Sequence, residues 1–90
     1  MVRYFGQATG RVQGVGFRMF VQMGAEGLGI TGWVKNMADG TVTMELQGED
    51  AAVDLLVERI QKGNRFIRVD ELALEACELV EDEKGFRVRG

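Results

Sequence analysis

Two short stretches of the 90-residue chain carry groups suited to chemistry. Gly10 to Arg18 reads GRVQGVGFR, and Asn36 stands eighteen positions after Arg18, just ahead of an Asp39-Gly40 pair. An alternating segment ends at Arg11-Val12, Gly14 and Gly16 follow, and an amphipathic helical pattern begins near Phe17. A strand that turns through glycines into a helix start makes a concavity of backbone N–H groups. The positive end of the helix dipole points into it, which suits a phosphate-sized anion. Arg18 adds a planar, permanently charged fork at the same place. A cation there is mildly unfavourable by itself, by roughly 0.3–1 kcal/mol, and a shared anion would reverse the sign. Locally the loop has two readings, a structural turn or an anion nest over Gly14, Val15, Gly16, Phe17 and Arg18. It matches neither the dinucleotide nor the Walker fingerprint: no glycine stands three residues after Gly16, and no Gly-Lys-Ser/Thr ending occurs.

Asn36 also has two readings. It is a turn-initiating residue before the hairpin, or an amide that orients a water by donating and accepting hydrogen bonds. It cannot be a strong general base. The usual catalytic sets are missing, since the chain has no histidine and no carboxylate pair near the loop. With Cys77 as the lone cysteine, neither a zinc site nor an intramolecular disulfide is expected. A reaction here must therefore need little proton transfer. Cleavage of a carboxylic–phosphoric anhydride fits, because its carboxylate departs without a general acid. What remains is to bind the phosphoryl oxygens and hold a water in line.

The elements that must position these groups follow from periodicity. Val2 to Val12 alternates loosely, with Val2, Tyr4, Ala8 and Val12 opposite Arg3, Gln7 and Thr9, and Phe5 as an apolar exception on the polar face. Phe17, Phe20, Val21, Gly24 and Leu28 share one helix face, and Gly29 is a plausible C′ residue. Gly24 and Gly27 each cost about 1 kcal/mol against alanine inside a helix, and Gly24 on the buried stripe would let a strand approach. Ile30 to Met37 reads as a strand, Asp39-Gly40 as a hairpin signal, and Thr41 to Gln47 as a cleanly alternating strand with Val42, Met44 and Leu46 inward. A second helix opens at acidic Glu49 and Asp50, buries Val53, Leu56, Val57 and Ile60, and stops at Gly63. Phe66 to Leu79 is extended, with a phase change near Asp70-Glu71 that calls for a bulge. Glu81 to Lys84 reads as a solvated turn, and Phe86 and Val88 mark a short final strand. Met19, Met23 and Met44 are expected as core or gap-fillers, Cys77 as a small buried hydrophobe, and Trp33 as packing.

The order is strand, helix, strand, strand, helix, strand, with a terminal strand added. That is the α+β ferredoxin-like (split βαβ) sandwich, two helices on one face of a mainly antiparallel four-stranded sheet whose other face stays partly wet. One domain, residues 1–90, is expected. Apolar content of 46% with 28% charged residues fits a globular chain, and no apolar run approaches the roughly 20 residues of a membrane span. The N-terminus lacks a signal-peptide apolar core, so a cytoplasmic protein without metal or cofactor is expected. Net charge of −3 argues against nucleic acid as a partner, though a local basic pocket can still hold phosphate. The sheet plan needs no partner chain, so a monomer is expected.

GRVQGVGFR, followed by Gly32-Trp33-Val34-Lys35-Asn36 and Asp39-Gly40-Thr41-Val42, strongly resembles the acylphosphatase family. The likeness covers nearly the whole chain, through Gly48 to the closing Gly85-Phe86-Arg87-Val88-Arg89. It implies metal-free hydrolysis of small acyl phosphates to a carboxylate and inorganic phosphate. By the family's pattern, Arg18 and the loop amides would hold the phosphate and Asn36 would orient the attacking water. Ala38 stands where relatives often have proline, Asn64-Arg65-Phe66 replaces a proline-containing turn, and glycines at 24 and 27 are unusual in the helix. A non-catalytic phosphate- or carboxylate-binding module on the same fold is the alternative, and intact Arg18 and Asn36 argue against it. An RNA-recognition sheet would need stacking aromatics that Thr41 to Gln47 lacks.

Overall fold

In the computed structural model, which describes Met1–Gly90, the chain runs β1 (Val2–Arg11), α1 (Phe17–Gly27), β2 (Thr31–Asn36), β3 (Val42–Gly48), α2 (Asp50–Lys62), β4 (Arg68–Ala76) and β5 (Phe86–Arg89). The strands join in one five-stranded sheet ordered β4-β1-β3-β2-β5. All neighbours are antiparallel except β5, which lies parallel to β2 and widens the expected four-stranded sheet by an edge strand. The ferredoxin-like α+β plan read from the element order is the fold.

The apolar stripes meet as their spacing requires. Val42, Met44 and Leu46 of β3 pack with Phe17, Val21 and Ala25 of α1 and Val53, Leu56 and Ile60 of α2 in one buried cluster. Both helices end on glycine N–H groups that donate back to the last turn, Gly29 to Glu26 and Gly63 to Arg59 and Ile60. Gly27 is the last residue of α1, where its helical cost is small. Gly24 does serve a close approach, but to the other helix and not to a strand: a Cβ there would lie 2.8 Å from Leu56 Cδ1. The phase change in β4 is a bulge, since Thr9 pairs with Glu71 and Gly10 with Val69, leaving Asp70 as the extra residue.

Other expectations fail for a common reason. Met19 and Met23 are largely exposed at 62% and 66%, and only Met44 of the three is core. β4 stops at Ala76, and Cys77 beyond it is exposed. Partial desolvation of the sulfur, with the nearby Glu45 carboxylate, holds its thiol pKa above the ordinary value. Periodicity ranks positions on an element; it does not show where a neighbouring element ends.

The largest departure is Arg3, assigned to the solvent side and yet only 3% exposed. Its Nε donates to Glu45 (2.6 Å), Nη1 to Gln47 (3.1 Å), and Nη1 and Nη2 fork onto the two oxygens of Glu83 at 2.7 and 3.1 Å. Gln47 exchanges two further bonds with the Val80 backbone, at 2.8 and 3.0 Å. Glu83 is therefore no solvated turn residue. With Val80 it clamps the β4–β5 connection onto the sheet face away from the helices, and so carries β5 to the edge of β2. Trp33 packs on that same side of β2, edge-on to Phe5 with ring centroids 6.4 Å apart and with the Arg89 guanidinium over its ring.

Burial, the largest single influence on Glu83, favours its neutral form; hydrogen bonding led by Arg3, with the charges of Arg3 and Arg87, outweighs it and holds the carboxyl below its ordinary 4.5. Its contribution to stability is thus complete above about pH 4.5 and is lost as pH falls through the lower folded value. Glu83→Gln should lower stability at pH 7 by about 1–3 kcal/mol, because Arg3 loses a charged partner. Urea midpoints between pH 7 and pH 3 should fall less steeply for the variant than for the wild type. Parallel curves would show that this pair does not contribute to acid stability.

Candidate active site

β1 and β2 both pair antiparallel with β3, so they run the same way and finish at the same end of the sheet. Val42 at the start of β3 pairs with Ala8 on one side and Asn36 on the other. β5, parallel to β2, ends there too. A crossover helix returning from β1 must begin where β1 stops. The Gly10–Arg18 turn, the N-terminus of α1, Asn36 and the end of β5 thus converge.

Within the turn, Gly14 and Gly16 have φ of 72° and 80°, the left-handed region, and a Cβ at either would meet nothing within 4 Å. Glycine is needed there for backbone conformation and not for lack of room, and the loop's outer side stays open. Gly16 is the N-cap of α1 and offers no side chain to cap it. The amides of Gly14, Val15 and Gly16 donate to nothing in the chain, and the first helical bond runs from the Phe20 N–H to the Gly16 carbonyl at 3.0 Å. The first-turn amides are left without intrahelical acceptors, as at any helix start, and here no capping oxygen replaces them.

Arg18 sits one residue into the helix. Its Nη1 donates to the backbone oxygens of Arg89 (3.1 Å) and Gly90 (2.8 Å), and its Nε and Nη2 have no partner in the chain. No Asp or Glu side chain pairs with it. Asn36 is half-buried, and its Oδ1 is the one buried side-chain N or O atom without a hydrogen-bond partner. Such groups are rare in folded chains and call for an explanation.

Gly14, Gly16, Phe17, Arg18 and Asn36 line one open cleft of about 380 Å³, with Val12, Met19, Gln22 and Val88. No acidic side chain lines it. Val15 does not line it; its side chain packs against the core. The volume suits a small molecule. The polar groups offered are one cation, a set of unpaired N–H donors and one orphan acceptor, an arrangement complementary to a tetrahedral anion with a polar neighbour. Sequence reasoning missed Gln22, whose Nε2 donates to the Phe86 carbonyl at 3.2 Å and helps hold β5 to α1. Its position four residues after Arg18, on the same helix face, was the available signal. Gln13 was missed as well.

The acylphosphatase family matches residues 4–88 of the chain. The chain belongs to that family. It is 51% identical over 79 residues to the acylphosphatase of Geobacillus thermodenitrificans, covering 88% of this chain and 84% of the relative. The acylphosphatase of Clostridium beijerinckii is 43% identical over 89 residues, 99% of each chain. Among solved structures, the crystal structure of acylphosphatase from Bacillus subtilis superposes with a TM-score of 0.94 at 37% identity, over 100% of both chains. The cleft at the shared end of β1, β2 and β5 therefore lies in an acylphosphatase fold traversed from end to end.

The open space around Gly16 makes a clean test of its backbone. Gly16→Ala should cost about 1–2 kcal/mol, the price of a left-handed conformation for an L-residue, with no clash added. Gly27→Ala, at a glycine with equally open surroundings and no positive φ, should not destabilise. Urea midpoints compare the two. Equal stability of Gly16→Ala and wild type would mean that the loop relaxes out of this geometry.

Proposed function

We propose that the chain hydrolyses the carboxyl–phosphate bond of small acyl phosphates, with the phosphoryl group on the Gly14–Arg18 loop and the attacking water on Asn36. Family membership supports the reaction. The observation that carries the roles is the pairing, in one cleft, of an arginine that no Asp or Glu side chain pairs with and an asparagine oxygen without any partner. Arg18 Nε and Nη2, with the amides of Val15 to Arg18, would spread the phosphoryl charge over several donors. Asn36 Oδ1 would accept one hydrogen from a water and aim its lone pair at phosphorus.

In the reaction, the water oxygen bonds to phosphorus as the bond from phosphorus to the carboxyl oxygen breaks. The electron pair of that bond leaves with the carboxylate, and the water's proton ends on inorganic phosphate. No side chain needs to change its protonation state. That agrees with a chain that has no histidine. No helix is long and apolar enough to cross a membrane. We place the activity in the cytoplasm, on a monomer that forms a single domain and acts on a free small molecule without nucleic acid; the net charge of −3 supports the last point.

Acetyl phosphate should be hydrolysed with a chelator present, and ordinary phosphate monoesters should not, since their alkoxide leaving groups need an acid. No turnover of the acyl phosphate would overturn the reaction. Arg18→Lys should weaken inorganic phosphate binding by roughly 10- to 100-fold, because a point charge cannot replace the fork. Asn36→Ala should lower kcat on the order of 100-fold with little change in phosphate affinity. Full turnover in Asn36→Ala would remove Asn36 from the water's path.

A further inference from the structure

The turn that follows β1 is poorly anchored by the sheet. β1 pairs with β3 only as far as Ala8–Val42; its last residues pair solely with β4, on the side away from Asn36. Past that point, no backbone hydrogen bond joins the loop to the hairpin after Asn36. One side chain links them. Gln13 Nε2 donates to the carbonyls of Met37 (2.8 Å) and Thr41 (2.9 Å), the two residues that bracket the hairpin turn. Both partners are carbonyl oxygens, so the amide's orientation is set by chemistry: flipped, its oxygen would face two acceptors.

The hairpin is stiff by its own bonds. The Met37 N–H donates to the Thr41 carbonyl (2.8 Å) and the Gly40 N–H to that of Met37 (3.2 Å). Asp39 Oδ1 accepts from both the Thr41 N–H (3.0 Å) and its hydroxyl (2.7 Å). Met37 is the residue after Asn36, so a bond to its carbonyl acts on the backbone that carries the asparagine. β1 itself reaches this turn through one side chain, at a longer distance, from Gln7 Nε2 to Thr41 Oγ1 at 3.3 Å.

We propose that Gln13 is a positioning residue that fixes the phosphate loop against the Asn36 hairpin; this rests on the reading of the reaction given above. In-line attack requires phosphorus, held by the loop, and water, held by Asn36, to be registered to within a fraction of an ångström. A misplacement of about 1 Å can cost on the order of 100-fold in rate. Gln13 touches neither substrate group. Removing its two bonds leaves Arg18 and the loop amides in place, so binding of phosphate survives while the register between the two halves loosens.

The test uses the full chain. Gln13→Met keeps the length and removes the donors, Gln13→Glu places an acceptor against two carbonyls, and Gln13→Lys restores a donor of similar reach. Gln13→Met and Gln13→Glu should lower kcat for acetyl phosphate by about 10-fold or more while the inorganic phosphate Kd changes by less than about threefold, and Gln13→Lys should recover kcat to within about threefold of wild type. In the wild type, adding inorganic phosphate should shift the backbone amide resonances of Met37 to Thr41 as well as those of Gly14 to Arg18; in Gln13→Met only the loop resonances should move. Unchanged kcat in folded Gln13→Met, a parallel loss of kcat and phosphate affinity, or hairpin shifts equal to those of the wild type would each overturn the proposal. Should Gln13→Met not fold, Gln13→Lys and Gln13→Glu decide it by the same readings. An inactive wild type would instead defeat the hydrolase reading, and the resonance shifts would still decide whether Gln13 couples loop to hairpin.

Discussion

The position of the site depends on β3 being hydrogen-bonded along both edges. Because β1 and β2 are each antiparallel to it, their C-terminal ends are forced to the same side, and Val42 is flanked by Ala8 and Asn36. Nothing in the site could be assembled otherwise from residues so far apart. α1 must then begin at that end of the sheet, with its dipole and its uncapped amides pointing outward over the gap. The geometry of the cleft is thus a by-product of strand direction, and the side chains only refine it. An apolar β3 that packs both helices is also the strand that registers the two halves of the cleft.

The second constraint works from the opposite face of the sheet. Arg3, Gln47 and Glu83 clamp the connection between β4 and β5, and this puts β5 beside β2 with its last residues at the cleft. The backbone oxygens of Arg89 and Gly90 then hold Arg18 by one nitrogen of its fork. An isolated exposed arginine would keep its full rotamer freedom. Here two backbone oxygens orient the guanidinium, and no Asp or Glu side chain lines the cleft to compete with an anionic ligand. The chain places acidic side chains on Arg3, and none on Arg18.

What could be read from the sequence was what depends on neighbours along the chain. The alternation of β3, the stripe of α2, the glycine stops at 29 and 63 and the phase change answered by Asp70 are all local patterns, and all appear in the fold. Gly14 and Gly16 were legible as a turn because only glycine adopts positive φ at low cost. Arg3, Glu83 and Cys77 were misread because their surroundings come from one long connection, whose path over the second sheet face leaves no periodic trace. Gly24 was recognised as a packing glycine, but its partner is Leu56 of the other helix, a fact of tertiary contact. At the site, residue types suggested Arg18 and Asn36, while the fork's lack of an Asp or Glu partner and the orphan state of Asn36 Oδ1 are visible only in three dimensions. Gln13 stands between two glycine-rich landmarks and carries no motif of its own; only the divergence of β1 from β3 gives its amide something to bridge.

Polar satisfaction is distributed unevenly over this chain, and the unevenness is itself informative. Away from the cleft, even a buried guanidinium finds four bonds, and Gln47 uses both ends of its amide. In the cleft, an asparagine oxygen is buried without a partner, the loop amides donate to nothing, and an arginine stands at the unfavourable end of a helix. An unpaired buried group costs about 1–3 kcal/mol, and a domain is stable by only roughly 5–15 kcal/mol, so such costs are not negligible. Random imperfection would scatter them. Their concentration at one end of the sheet, on groups that one tetrahedral anion and one water would satisfy together, is what the proposed phosphate site would require: polar groups fixed by folding before a ligand arrives leave little reorganisation for a reaction step.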